Sequence, residues 1–236
     1  MTLTVDSEGF PSTHWSLVLE AGQGGQEALE RLCEAYWMPL YAFARRRGNS
    51  GERAQDLVQG FLMSFIEREG LARISREGGR FRAYLLTAFR NYTTSEFRRE
   101  QSMKRGGTFE HLSLDWLRAE KAYQVMDPAL DAEALYHRQW AITLLQRVEQ
   151  SLQEHYRNTG RSALFEALRP ALREKGASLD YEAIAAQLGA ARGTLRVAVH
   201  RLRSRFSDLL REEVMVLVDE ADAVDDELRL LLAALR

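Results

Sequence analysis

The chain has 236 residues, 45% hydrophobic and 28% charged, with a formal net charge of −2. That is the profile of an ordinary soluble protein, long enough for two modest domains at about 150 residues each, and it excludes a chain disordered throughout. The single cysteine, Cys33, excludes an internal disulfide, and its place between Leu32 and Tyr36 on an apolar stripe marks it as a small core residue.

No apolar run approaches the roughly 20 residues that span a bilayer, and the start Met1-Thr-Leu-Thr-Val-Asp-Ser-Glu8 lacks the basic-then-apolar order of a secretory signal. The expectation is a cytoplasmic protein with no membrane partner. Four prolines and no alternating apolar segments joined by hairpin turns predict an all-α fold.

The first predicted helix runs from Gln26 to Arg47, with Leu29, Leu32, Cys33, Tyr36, Trp37, Leu40 and Phe43 on one face and Pro39 bending it. It stops at Gly48-Asn-Ser-Gly51. The second, Glu52 to Glu69, buries Ala54, Leu57, Val58, Phe61, Leu62 and Phe65, and its spacing exposes Gln55, Asp56, Gln59, Gly60 and Met63. A loop over Ala72 to Arg80 leads into a third helix, Phe81 to Glu100, which buries Tyr84, Leu85, Ala88, Phe89 and Tyr92. Between Arg73 and Arg105 nine basic residues face three acids, a net +6 in a nearly neutral chain. From Gln101 to Asp127 no helical period is sustained, which reads as a linker. An amphipathic helix follows with Leu130, Ala134, Leu135, Ile142, Leu145, Val148, Leu152 and Tyr156, then another from Arg161 to Lys175.

The most specific stretch comes next. Leu179 to Gly189 reads as a helix with Tyr181, Ile184, Ala185 and Leu188 on its inner stripe and Glu182 and Gln187 outside, ended by a glycine suited to the left-handed conformation. A second helix buries Leu195, Val199, Leu202 and Phe206 and leaves Arg192, Arg196, His200, Arg203 and Ser207 exposed. This is a helix-turn-helix. From Arg192 to Arg211 there are six arginines against the single acid Asp208, an electrostatic footprint for nucleic acid. After Glu212 the chain turns acidic, with no base until Arg229. Such a run is ordinarily a solvated face; the sharper reading is that it folds back and masks the basic helix.

The order of these elements resembles the bacterial sigma-70 family, in its small extracytoplasmic-function (ECF) type. The resemblance rests on Tyr36-Trp-Met-Pro-Leu-Tyr41, Asp56-Leu-Val-Gln59, Gly79-Arg-Phe-Arg-Ala-Tyr-Leu-Leu86, Lys104-Arg-Gly-Gly107, Tyr181-Glu-Ala-Ile-Ala185 and Leu188-Gly189. It implies two helical domains: sigma domain 2 over residues 1–100 and a helix-turn-helix sigma domain 4 over 128–213. A linker spans 101–127 and an acidic C-terminal helical extension spans 214–236.

It further implies a promoter-specificity subunit that binds core RNA polymerase through the β′ clamp and β flap and directs transcription initiation at promoter DNA. Asp56, Gln59, Gln55 and Met63 would meet polymerase. Arg73, Arg76, Arg80, Arg82, Arg90, Asn91 and Arg98 would melt and hold the minus-ten strand. Arg192, Thr194, Arg196, His200, Arg201 and Arg203 would read the minus-35 element in the major groove.

Gln55 and Gly60 stand where the family usually has carboxylates, so the polymerase-binding face is less acidic than usual. A phosphate at Ser50 or Ser64 would restore charge, which makes a Ser/Thr kinase, beside an anti-sigma factor, a candidate regulatory partner. A further departure is Ala191, where a capping serine is usual. The five histidines are scattered, with no paired metal spacing, and neither a phosphate-cradling glycine loop nor a nucleophile elbow is present. No enzymatic activity, cofactor or metal is expected. The alternative to a sigma subunit is an autonomous helix-turn-helix regulator of duplex DNA, disfavoured by the +6 patch beside Asp56 and Gln59.

Overall fold

In a computed structural model, residues 26–67, 81–102, 115–173, 179–215 and 223–236 are described. All secondary structure among them is helical: α1 (Gln26–Arg46), α2 (Gly51–Glu67), α3 (Phe81–Ser102), α4 (Trp116–Gln124), α5 (Ala132–Asn158), α6 (Ser162–Leu168), α7 (Pro170–Arg173), α8 (Tyr181–Leu188), α9 (Arg192–Met215) and α10 (Ala223–Ala234). The chain forms two compact units, one of residues 1–141 with 215–236 and the other of residues 142–214. Residues 128–141, which the sequence boundary at 128 assigns to the second domain, group with the first unit, the division falling within α5, and α10 belongs with the first unit too.

The first unit is built on aromatic contacts between α1, α2 and α3. Phe89 packs edge-on against Phe43 (ring centroids 6.0 Å) and Phe61 (5.1 Å), while Tyr36 meets Phe81 at 5.4 Å. Offset and edge-on arrangements of this kind contribute about 0.5–1.5 kcal/mol each beyond their buried area. Pro39 lies inside α1 without ending it. Cys33 is buried, and that burial, reinforced by the nearby carboxylates Glu34 and Glu30, pushes its thiol up to about 11, so it stays protonated and inert.

Gly60 is a packing residue, not a surface one. It is buried in α2, and a Cβ there would overlap the hydroxyl of Tyr92 on α3. The absence of an acid at this position thus has a steric cause. Ser50 begins α2 by accepting a hydrogen bond from the Arg53 N–H at 3.2 Å, a helix N-cap.

The segment read as a linker contains α4, which is docked on α1. Asp115 caps it by accepting from the Arg118 N–H at 2.9 Å, and Ala119 is buried beneath it. Trp116 packs edge-on against Trp37 (5.3 Å), and Arg45 donates to both carboxylate oxygens of Glu120 at 2.9 and 2.8 Å while the Tyr41 hydroxyl donates to the same group. Arg45 also stacks over Tyr123, and Arg46 donates to the carbonyls of Asp127 and Pro128. Residues 103–114, including the Lys104-Arg-Gly-Gly107 word, lie outside the described residues.

The second unit packs Val148 and Leu152 of α5 with Phe165 and Leu168 of α6, Ala171 of α7, and Val199, Leu202 and Leu209 of α9. The helix predicted over Arg161 to Lys175 is broken in two, α6 and α7, because Pro170 cannot continue the hydrogen-bond ladder.

Two outcomes follow. Gly60→Ala, which on helix propensity alone stabilises by about 1 kcal/mol, is expected to destabilise here by roughly 1–3 kcal/mol in chemical denaturation. The sign should reverse in a Tyr92→Phe background, where the clashing oxygen is gone. The hydrogen bonds of Arg45 and Tyr41 hold the Glu120 carboxyl below its ordinary 4.5. Such a depressed group contributes stability above the unfolded value that is lost as pH falls through the folded one. Glu120→Gln should accordingly be less stable than wild type at neutral pH, with the difference shrinking as pH falls through the depressed carboxyl value; a stability difference that stays constant on acidification would contradict this.

Candidate nucleic-acid interface

On α2 the outward face is narrower than the sequence suggested. Asp56 is exposed and Gln55 and Met63 are half-buried, but Gln59 is only 5% exposed, so it cannot serve as a surface contact in this conformation. The reason is that Leu57 to Leu62 are all buried, with α2 covered on most of its circumference. Glu52, one turn before Asp56 and exposed, supplies the acid that Gly60 does not; its i, i+4 spacing was readable in the sequence. Ser64 is half-buried with its hydroxyl donating to the Phe61 carbonyl at 3.0 Å, whereas Ser50 is exposed.

On α3, Arg90, Asn91 and Arg98 are exposed together with Thr87 and Thr94. Tyr84, assigned to the buried stripe from its spacing, is 41% exposed, and Phe97, which the sequence reading passed over, is 62% exposed. The helix therefore presents cations, amide and hydroxyl groups and two aromatic rings on its solvent side, the combination that holds single-stranded nucleic acid by backbone charge and base stacking.

Arg82 is a correction. It is only 6% exposed, with its guanidinium 4.5 Å from the centre of the Trp140 ring, its Nε 2.8 Å from Glu227 Oε1, and its carbonyl accepting from the buried Tyr136 hydroxyl at 3.0 Å. It is not available to DNA in this conformation. Arg73, Arg76 and Arg80 lie outside the described residues.

The helix-turn-helix follows the expected local chemistry. Asp180 caps α8 by accepting from the backbone N–H groups of Glu182 and Ala183 at 3.1 and 3.0 Å, a cap not singled out in the sequence. Gly189 ends the helix at φ 60°, ψ 31°, the left-handed conformation glycine adopts without cost. α9 then buries Leu195, Val199 and Leu202, with Phe206 half-buried. Arg192, Arg196, His200 and Arg203 are exposed, as their spacing predicts, and so are Thr194 and Arg201. Arg192 pairs with Glu182 of α8 at 2.9 Å, and the Arg203 Nε donates to the Ala171 carbonyl at 3.0 Å. Tyr181, Arg196, His200, Arg203, Ser204 and Ser207 border an open groove of about 520 Å³, with the Arg196 guanidinium 6.0 Å from the Tyr181 ring centre.

Among the described residues no cluster of three or more His, Cys, Asp or Glu could hold a metal ion, and no helix is long and apolar enough to cross a membrane. The described residues are all-helical or loop, with exposed cations on α3 and on α9. Comparison with known families makes this specific: residues 32–103, which span most of α1 and all of α2 and α3, match the family model of sigma-70 region 2. The likeness to that family thus lies in the three helices that carry the first basic face. No curated protein and no solved structure matches the chain.

Asp180→Ala should cost about 1 kcal/mol by uncapping α8. Because α8 supports α9, the same change is expected to weaken duplex DNA binding without altering any residue of the exposed α9 row. Unchanged thermal stability in that variant would argue against the cap.

Proposed function

We propose that the chain is an ECF-type promoter-specificity subunit that recruits core RNA polymerase through α2, captures the melted minus-ten strand on α3, and reads the duplex minus-35 element with α9. The observation that carries this reading is the exposed basic row on α9, in a capped helix-turn-helix, within a chain that also holds a sigma-70 region 2. Neither feature alone distinguishes a polymerase subunit from an autonomous DNA-binding regulator; their combination favours the polymerase subunit.

Each surface suits its task. Asp56 and Glu52 offer a small acidic face for the β′ clamp, with Gln55 and Met63 beside them. Arg90 and Arg98 supply backbone charge, Asn91 can read a base edge, and Tyr84 and Phe97 offer stacking faces for unpaired bases. Arg196, His200, Arg201 and Thr194 project from the first half of α9, the part of a recognition helix that enters the major groove, while the β flap would engage the same unit. The protein so described does no covalent chemistry. It contributes binding energy that differs between paired and unpaired DNA, and polymerase supplies the reaction.

Where a Ser/Thr kinase acts on this chain, Ser50 is the serine that fits. It is exposed at the N-terminus of α2, where the helix dipole stabilises negative charge, and a phosphate there adds about −1.5 to −2 units close to Glu52 and Asp56. An anti-sigma partner would compete for these same faces.

The test is co-elution of the full chain with bacterial core RNA polymerase, beside Asp56→Arg and a form carrying phosphoserine at position 50. Wild type should co-elute, Asp56→Arg should lose binding by about tenfold or more, and the phosphoserine form should bind more tightly than the unmodified chain. Duplex DNA binding with no affinity for polymerase in any form would make the protein an autonomous regulator instead.

A further inference from the structure

The cations of α3 are not all in the same state. Arg98 lies exposed, but Arg90 pairs with Glu133 in the first turn of α5, and Arg82 pairs with Glu227 of α10 with side chains only 7% and 1% exposed. The second pair has an uncommon character. Desolvating two charges roughly cancels their attraction, and apolar residues of the same size hold a helix equally well, so a buried ion pair is a poor device for stability alone.

As a latch it behaves differently. When the carboxylate leaves, Arg82 remains a cation seated on the Trp140 ring, and a phosphate oxygen offers the same charge and the same acceptor to its guanidinium. The helix bearing Glu227 is also lightly held. Its buried residues form one narrow stripe, Val224, Glu227 and Leu231, while Leu230 and Leu232 are exposed. A cleft of about 420 Å³ remains where Leu230 and Ala233 of α10 approach Arg82 and Ala83 of α3 and Ala134 of α5. α10 covers this end of α3 without completing the packing there.

We propose that α10 is a displaceable cover on α3, with Glu227 and, beside it, Glu133 holding the arginines that the phosphates of a captured single strand take over. This rests on the strand-capturing role of α3 given above. It assigns the acidic C-terminal helix to the minus-ten face rather than to the recognition helix, and it turns Arg82 from a buried structural residue into one recruited when strand and cover exchange.

Hydrogen–deuterium exchange on the full chain, free and with a mixed-sequence single-stranded oligonucleotide, tests it. On binding, exchange in residues 223–234 should accelerate while α3 becomes more protected. Protection of α3 with α10 as slow as in the free chain overturns the proposal. Two full-length variants undock α10 by different chemistry, Glu227→Arg by repelling Arg82 and Leu231→Glu by placing a charge on its buried stripe. Both should bind the oligonucleotide about tenfold more tightly, the gain of one charge-assisted contact, with a steeper salt dependence by about 0.7 in log–log slope. Affinity equal to wild type in a variant whose α10 exchanges fast overturns the inference even where the other variant fails to fold.

Arg98→Ala separates the two levels of the argument. If it weakens binding while undocking α10 changes nothing, strand capture by α3 stands and the cover fails. If neither wild type nor any variant binds the oligonucleotide, the role of α3 fails and the cover with it.

Discussion

The close approach of α3 to α1 and α2 decides most of what this protein can present to a partner. Phe89 sits where the three helices meet, in edge contact with Phe43 on one side and Phe61 on the other, and Phe61 in turn reaches Tyr92 at 5.7 Å. Such packing is tight at the crossing of α2 and α3: the helices come so near that a Cβ at position 60 would press on the Tyr92 hydroxyl. Once that crossing is fixed, so is the rotation of both helices. Gln59 is turned inward on α2, Asp56 and Glu52 outward, and on α3 the row from Tyr84 through Asn91 to Arg98 faces solvent. The glycine that looks like a lost charge in the sequence is what sets the orientation of the charges that remain.

The second unit was the more legible of the two, because its information is local. Helix ends, a left-handed glycine and an apolar repeat are all properties of a dozen adjacent residues, and the α9 residues whose spacing predicted exposure, Arg192, Arg196, His200, Arg203 and Ser207, are on the surface. What spacing cannot supply is the state of a residue whose partner is far along the chain. α4 has nine residues, too few to be stable as an isolated helix; it is held by Glu120 on Arg45 and Tyr41 and by Trp116 on Trp37, none of them local contacts. Its Asp115 cap and the Trp116, Ala119, Tyr123 spacing were the signals present, too short to register as a period. Arg82 is the same case in sharper form, since nothing near it in sequence announces Glu227. Gln59 failed for a different reason: α2 is buried over so much of its surface that a single-stripe reading underestimates what is inside.

In the proposed function, fidelity at a promoter depends on reading DNA only in the right state, and the two basic helices differ in how their charge is held. On α3 two arginines carry carboxylates from α5 and α10, which lowers the field that would otherwise attract any polyanion. On α9 the in-chain pairs sit at the ends of the row, Arg192 with Glu182 and Arg205 with Glu212, and leave Arg196, His200 and Arg201 facing outward between them. Duplex DNA is always present and its backbone always available, so a helix that reads it can stand ready. A single strand exists only after melting, and a surface that held it with all cations uncovered would bind nonspecifically at every other time.

The net charge of −2 then has a physical meaning that composition alone does not convey. The acids are not a uniform counterweight to the arginines; several are stationed on them. A carboxylate and a phosphate compete for a guanidinium on nearly equal terms of charge and geometry, but the carboxylate is attached to the chain and so has a high effective concentration. For a phosphate to displace it, the strand must bring further contacts, as several phosphates and stacked bases in register do and a stray anion does not. Neutralising a binding face with the chain's own acids would make the competition cooperative, and under the proposed exchange it is this competition, rather than the number of arginines, that would set how selectively α3 holds DNA.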